Sequence, residues 1–359
     1  MKNIWKLALM AVCVFGMTAC SDDDNDKPVI DPVVDPVVVN GVYVLSQGNY
    51  YSALNGDLTA YNPSTSDYTN GIFASANERA LGGTANDAVV YGSKLYIANT
   101  DENVLEVADA KTVKSIKQLP LSGARRIIAD GGFLYVTSFY ANNVSKIDTT
   151  TLEVVATAET GTYPESLVIQ NGKLYVANSG YGSGNTVTKI DLASFAVEAT
   201  LTVPTNPIEL YSLNGQLYLR TSGAYLADYS SYEVNPALYA MAEDGTTTYL
   251  ADCTISGQGI DYIYFIDDNY YKTDDTYGRV GANGVESVVL DRPVPYPCAI
   301  AQNPANGDIY ITSYAEKDYG GGYYGADYNS PGNCVRFSVD GVKLDQFPVG
   351  ISAGKILFF

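Results

Sequence analysis

The sequence predicts an all-β fold, a seven-bladed β-propeller of four-stranded antiparallel blades, and three observations predict it. The first is a repeated phrase: "KLYVANSG" at Lys173 returns as "KLYIANT" at Lys94, "FLYVTSF" at Phe133, "QLYLRTS" at Gln216 and "DIYITSY" at Asp308. Its seven tyrosines, Tyr43, Tyr96, Tyr135, Tyr175, Tyr218, Tyr264 and Tyr310, stand 39 to 53 residues apart, a period that suits one propeller blade per repeat. The second is the content of the period. Each clear repeat holds four short strands, many apolar on both faces, as a blade packed between two others requires. The third is the chain's two ends. The last ten residues, "GISAGKILFF", align with "GTYPESLVIQ" at Gly161, and the chain stops there. "NGVYVLSQG" from Asn40 supplies the turn and second strand that should follow, so the C-terminal strand completes the N-terminal blade and closes the ring. An open stack would need capping repeats, and the sequence offers none.

The unit is clearest over residues 161–200. "YPESLVIQ" reads as a first strand, "NG" as a tight turn, "KLYVAN" as a second strand, "SGYGSGN" as a loop, "TVTKIDL" as a third strand and "AVEATLTV" as a fourth. Third strands recur as "NVLEVADA" at Asn103, "NVSKIDTT" at Asn143 and "CVRFSVDG" at Cys334. The sixth blade has the poorest pattern, and its first strand is expected near residues 259–265.

Composition excludes several kinds of chemistry. The chain has no histidine, so no Ser-His-Asp or Cys-His couple and no His-bound metal can form. The formal net charge of -19 would repel a nucleic-acid backbone or an anionic membrane surface. Neither is expected as a partner.

The first residues read as an address. "MKNIWKLALMAVCVFGMTAC" has Lys2 and Lys6 ahead of an apolar stretch over residues 7–17, too short to span a bilayer comfortably. Met17-Thr18-Ala19-Cys20 resembles a bacterial lipobox, which implies that residues 1–19 are a signal peptide and that Cys20 is lipidated. "SDDDND" follows as a solvated run. In Bacteroidota a Ser plus acidic run after the lipidated Cys resembles the signal for the outer face of the outer membrane. "KPVIDPVVDPVVV" completes a semi-stiff tether over residues 20–39, with the propeller over residues 40–359. Cys253, Cys298 and Cys334 remain. They allow at most one disulfide and read best as small buried hydrophobes.

Binding is expected on one face. In a propeller the loops between second and third strands emerge together with the loops entering first strands. Fifteen of the 31 tyrosines fall in the loops after second strands. Tyrosine combines a large apolar surface and a polar tip with few rotors, and long loops on a rigid scaffold are where binding resides. The candidate ligand-binding residues are Asn49, Tyr50, Tyr51, Arg125, Arg126, Tyr140, Tyr163, Asn178, Tyr181, Tyr225, Tyr296 and Tyr314. Arg125 and Arg126 would meet a phosphate or carboxylate, or serve as local counter-charges. "DDNYYKTDD" at Asp267 lacks the spacing of an EF-hand and reads as a solvated acidic loop. "GGGYYG" at Gly320 lacks the lysine and helix of a phosphate cradle. No catalytic residue, metal or cofactor is expected.

On "KLYVANSG", "LYVTS", "KIDTTTLEV" and "YPESL" the chain resembles the YVTN-type (YncE-like) seven-bladed propellers. On "YVLSQGNYYSALNGDLTAYNP" at Tyr43, "ALGGTANDAVVYGSKLYI" at Ala80, "GTYPESL" and "LYVANSGYG" it is similar to the Bacteroidota surface lipoproteins (BtuG-like) that capture cobalamin and pass it to a TonB-dependent transporter. It departs from them at "SQGN", where an acidic "NEGN" is expected, and at "GGTAND", where "GDTAQD" is expected. The resemblance implies a monomeric, non-enzymatic ligand-capture protein. A glycan- or protein-binding adhesion module is the alternative, and a propeller lactonase or lyase a further one.

Overall fold

The computed structural model describes residues 41–268 and 275–359. The signal, Cys20 and the tether lie outside them, as do Tyr270 and Tyr271 of the acidic loop. Among the described residues no helix is long and apolar enough to cross a membrane.

Seven four-stranded antiparallel sheets follow one another along the chain. Blade 1 orders Ala353–Phe358, Val42–Asn49, Leu54–Asn62 and Asp67–Thr69 from its first to its fourth strand. Blades 2 to 4 begin at Ala85–Tyr91, Ala124–Asp130 and Pro164–Gln170. Blades 5 to 7 begin at Pro207–Leu213, Ile255–Gln258 and Pro297–Gln302. Closure occurs as the two ends imply. Val42 pairs with Phe358 and Val44 with Ile356, and Gly41 N–H donates to the Phe359 carbonyl at 3.0 Å.

The repeated tyrosine explains how the blades cohere. All seven anchors are buried, and each joins a hydrophobic cluster shared with the next blade. Tyr175 of blade 4 packs with Leu210, Leu217 and Leu219 of blade 5, while its strand neighbours Leu174 and Val176 turn back to meet Tyr135 of blade 3. Side chains alternate along a strand, so one "LYV" phrase serves two interfaces. Tyr310 does the same across the closure, packing with Val42, Val44 and Ile356 of blade 1. There the Tyr61 ring stacks on Phe347 at 4.0 Å, and Arg336 joins Asp308 at 2.6 Å and the Pro63 carbonyl at 2.8 Å. The "NG" turns take left-handed backbone at both residues, with φ of 51° at Asn171 and 70° at Gly172, the geometry that matches strand twist in a two-residue hairpin.

The Tyr96 hydroxyl is fully enclosed with no hydrogen-bond partner, and burial pushes its pKa up to about 12. Tyr96→Phe is therefore expected to leave stability unchanged or raise it by up to ~1 kcal/mol, because the desolvated hydroxyl contributes nothing. Tyr96→Ala should cost ~3 to 5 kcal/mol through the cavity. Urea denaturation of both variants measures the contrast.

Two features differ from the sequence reading. The sixth blade's first strand is Ile255–Gln258, ahead of the expected residues 259–265, and the second strand is Ile263–Asp267. A helix, Ile72–Asn77, stands between blades 1 and 2 where none was expected. Asp57 fixes its start by accepting from Phe73 N–H at 2.9 Å, and Phe73 is fully buried. Arg79, just beyond it, donates to both oxygens of the buried Glu106 at 2.8 Å. Arg79→Met would leave that carboxylate without its cation, with only the neutral donors Ser115 and Gln118, and we expect a loss of ~3 kcal/mol in urea denaturation. Cys253, Cys298 and Cys334 are free thiols.

Candidate functional site

The loops after the second strands, and those entering the first strands, carry most of the exposed tyrosines, while Tyr68 and Tyr249 lie on fourth strands. Blades 5 and 7 lengthen theirs with small hairpins, pairing Ala224–Tyr225 with Tyr232–Val234 and Ala315–Asp318 with Tyr324–Asp327. In six blades the residue just before the first strand is left-handed: Ser352, Thr84, Gly123, Tyr163, Asn206 and Tyr296. In five of these six blades that position carries a side chain, and in blade 3 it is Gly123. Tyr163, Tyr181, Tyr229 and Tyr296 have φ between 51° and 57°. Such backbone costs a side-chain-bearing residue roughly 1–2 kcal/mol and concentrates at functional sites.

A pocket of about 650 Å³ opens on this face, bounded by Asn49, Tyr50, Tyr51, Asp101, Arg125, Phe139, Tyr140, Tyr181 and Tyr328. Its floor is aromatic. Phe139 lies 4.9 Å from Tyr163, 5.4 Å from Tyr140 and 6.3 Å from Tyr181 by ring centroids, with the Arg125 guanidinium 4.8 Å over its ring. Asn49 ties the rim together across the closure by donating to the Tyr328 carbonyl at 3.1 Å.

Both charged groups in this pocket have partners within the protein, Asp101 two hydroxyl donors and Arg125 a carboxylate. Asp101 accepts from the Tyr140 hydroxyl at 2.6 Å and from Thr84. That hydrogen bond, with burial and the Asp101 charge, pushes the Tyr140 pKa up to about 12, so Tyr140 stays a neutral donor. Arg125 pairs with Glu165 at 2.8 and 3.0 Å and donates to Asn86 at 2.9 Å. A register shift at the start of the first strand in blades 2, 3 and 4 brings these three residues together, a bulge re-aiming side chains beside a site. Arg125 thus acts as a counter-charge.

Half of the twelve expected residues line this pocket: Asn49, Tyr50, Tyr51, Arg125, Tyr140 and Tyr181. Tyr163 lies beside it, its ring against Phe139 and Tyr181. Tyr225 belongs to a second pocket on the same face. Tyr296 and Tyr314 are half-buried near blade 7, where Tyr314 N–H donates to the Tyr296 carbonyl and burial raises the Tyr314 pKa. Two residues fall elsewhere. Asn178 is 1% exposed and spends its amide on Thr186 and Thr188, wedged beneath Gly161 where a Cβ would meet it at 2.7 Å. Arg126 points into the axial channel because neighbouring strand residues alternate in direction.

That channel, of about 520 Å³, is lined by the first strands of all seven blades. Arg126 of blade 3 pairs with Glu209 of blade 5 at 2.7 Å, and Lys355 of blade 1 with Asp87 of blade 2 at 2.8 Å. The sequence reading found no carboxylates converging on the axis; the structure puts Asp87 and Glu209 there, each matched to a cation. Among the described residues no group of three or more metal-ligating side chains occurs. The sequence reading also missed Phe139 and Asp101. Phe139 was legible as the aromatic ending "FLYVTSF", one residue before a loop.

Asp268 sits at the edge of the acidic loop. Burial, then the Asp275 charge, raises its pKa to about 7. The folded protein therefore holds that proton more tightly than the unfolded chain, so this group's contribution to stability falls as pH rises from about 4 to about 7. Asp268→Asn should melt a few degrees above the parent at pH 8, with the gap closing by pH 5; thermal melts at both pH values check it.

No model of a known protein family matches the chain, and no curated protein matches it. Solved structures do. A selenium-binding protein of Sulfolobus tokodaii, described as hypothetical, is 10% identical with a TM-score of 0.62, over 89% of this chain and 93% of the other. The hydrazine synthase of Kuenenia stuttgartiensis is 17% identical with a TM-score of 0.56, over 79% of this chain and 96% of the other. The likeness is one of fold. Propellers host many functions, and these two, a synthase and a selenium-binding protein by name, leave the function to be argued from the site.

Proposed function

We propose that this protein captures a large, nearly uncharged ligand rich in amides and hydroxyls on its loop face, and that the ligand is cobalamin or a related corrinoid. One observation carries the reading: the face pocket is broad and aromatic, and its only acid and base, Asp101 and Arg125, are satisfied by protein partners. A polyanion would find no free cation there, and a small apolar ligand would leave the amide and hydroxyl rim unused. A corrinoid offers a wide ring with amide arms, and its single phosphate is a modest charge. Rigid strands hold the tyrosines in place, so little ordering entropy is lost on binding. The protein acts without chemistry, as a monomer.

The lipobox at Cys20 and the acidic run after it support a lipid-anchored protein on the outer face of the outer membrane, passing its ligand to a TonB-dependent transporter. Calorimetric titration of the purified protein with cyanocobalamin tests the reading. Nanomolar or tighter binding is expected. Absence of heat at micromolar protein would overturn it and favour an adhesion module on the same tyrosines.

A further inference from the structure

A second pocket of about 570 Å³ adjoins the first on the loop face, and Tyr181 lines both. Tyr181 is 73% exposed, yet its left-handed backbone between Gly180 and Gly182 is fixed by Ser179, whose hydroxyl accepts from Tyr181 N–H. It stands between the two compartments as a held partition.

The second compartment is built by the blade 5 hairpin. Tyr225 and Tyr232 stack at 4.4 Å with their rings inclined by 23° and their hydroxyls 2.9 Å apart. Tyr229 lies 5.8 Å from Tyr225 and is 72% exposed. The hairpin is braced from within: Leu226 N–H donates to Ser231, Tyr229 N–H to Leu226, and Ser230 to Asp228. Asn206 ties its base to the crossing from blade 4 by donating to the Gly223 carbonyl at 3.2 Å. Among the described residues no charged side chain lines the compartment, in a chain of net charge -19. Asn206 and Ser222 supply polar atoms beside the rings.

We infer that the two compartments bind one two-part ligand: a broad body over Phe139, Tyr140 and Tyr51, and an appended arm bearing a flat neutral ring and hydroxyls, of nucleoside type, against Tyr225 and Tyr229. The inference rests on the proposed corrinoid reading and specifies it. Aromatic stacking discriminates by the presence of a flat ring, so the hairpin reads the arm while the first compartment reads the body.

Two probes that differ in the arm test this. Cyanocobalamin carries a nucleotide arm ending in a flat base, and cobinamide has the same ring without it. Calorimetry should show the full-length protein binding cyanocobalamin about tenfold or more tighter than cobinamide. Tyr229→Ala, at the exposed hairpin tip, should remove most of that preference by weakening cyanocobalamin. Tyr225→Ala combined with Tyr229→Ala should remove the rest, with thermal melting confirming the fold. Equal binding of both probes, unchanged by Tyr229→Ala, would overturn the two-part assignment and leave the capture function standing. Failure of both probes to bind the parent would overturn both.

Discussion

Removing residues 353–359 abolishes cooperative folding: the shortened chain is expected to show no thermal transition by circular dichroism. The lost strand, Ala353–Phe358, is the first strand of blade 1 although it is the last in the chain. Ile356 and Leu357 are 6% and 7% exposed and belong to different clusters, Ile356 at the blade 7 interface and Leu357 at the blade 2 interface. Each such side chain contributes about 1.5–3 kcal/mol by burial, and the ladder to residues 42–46 adds about 1 kcal/mol per hydrogen bond. The total approaches the whole stability of an ordinary domain, about 5–15 kcal/mol. The Asp87 carboxylate also loses Lys355. Lys355→Met separates that effect from the strand and should melt within a few degrees of the parent. A shortened chain that melts like the parent would show that the ring does not depend on its closure.

The triple change Tyr140→Ala, Tyr163→Ala and Tyr181→Ala is expected to weaken ligand binding by a factor of 100 or more while leaving the fold intact. These three rings cluster around Phe139 and are 48%, 36% and 73% exposed, so their loss removes contact area without opening the core. Aromatic anchors dominate binding energies, and two or three truncations at about 1–2 kcal/mol each give a loss of that order. Tyr181→Ala should be the most costly single change, because that ring lines both compartments. Unchanged affinity in a folded triple variant would move the site off this face.

Most of the scaffold was legible because its determinants are local. A "KLYVAN" strand carries its alternation and its turn within ten residues, and Lys173–Asn178 forms as the text implies. Blade 6 resisted for a physical reason. Its first strand contains Gly257, where a Cβ would lie 1.8 Å from the Ile300 carbonyl of blade 7, so the apolar side chain that marks other strands cannot be present. The helix at Ile72–Asn77 depends on Asp57 and on burial of Phe73 between blades, neither readable from six residues. The exposed tyrosines of the face were visible as composition. Their grouping was not, because Asn86, Arg125 and Glu165 meet only once the blades pack, and the axial pairs join residues as far apart as Asp87 and Lys355. Counting tyrosine alone also hid Phe139, the ring at the centre of the cluster.

Hydrogen–deuterium exchange with and without cyanocobalamin tests the central claim most directly. Protection is predicted in the loops at residues 49–53, 100–103, 139–142, 160–163 and 179–185, and along the hairpin at 224–234. The turns on the opposite face, at Asn171, Asp130 and Asp148, should exchange as before. Protection confined to those turns, or none at saturating ligand, would contradict capture on the tyrosine face.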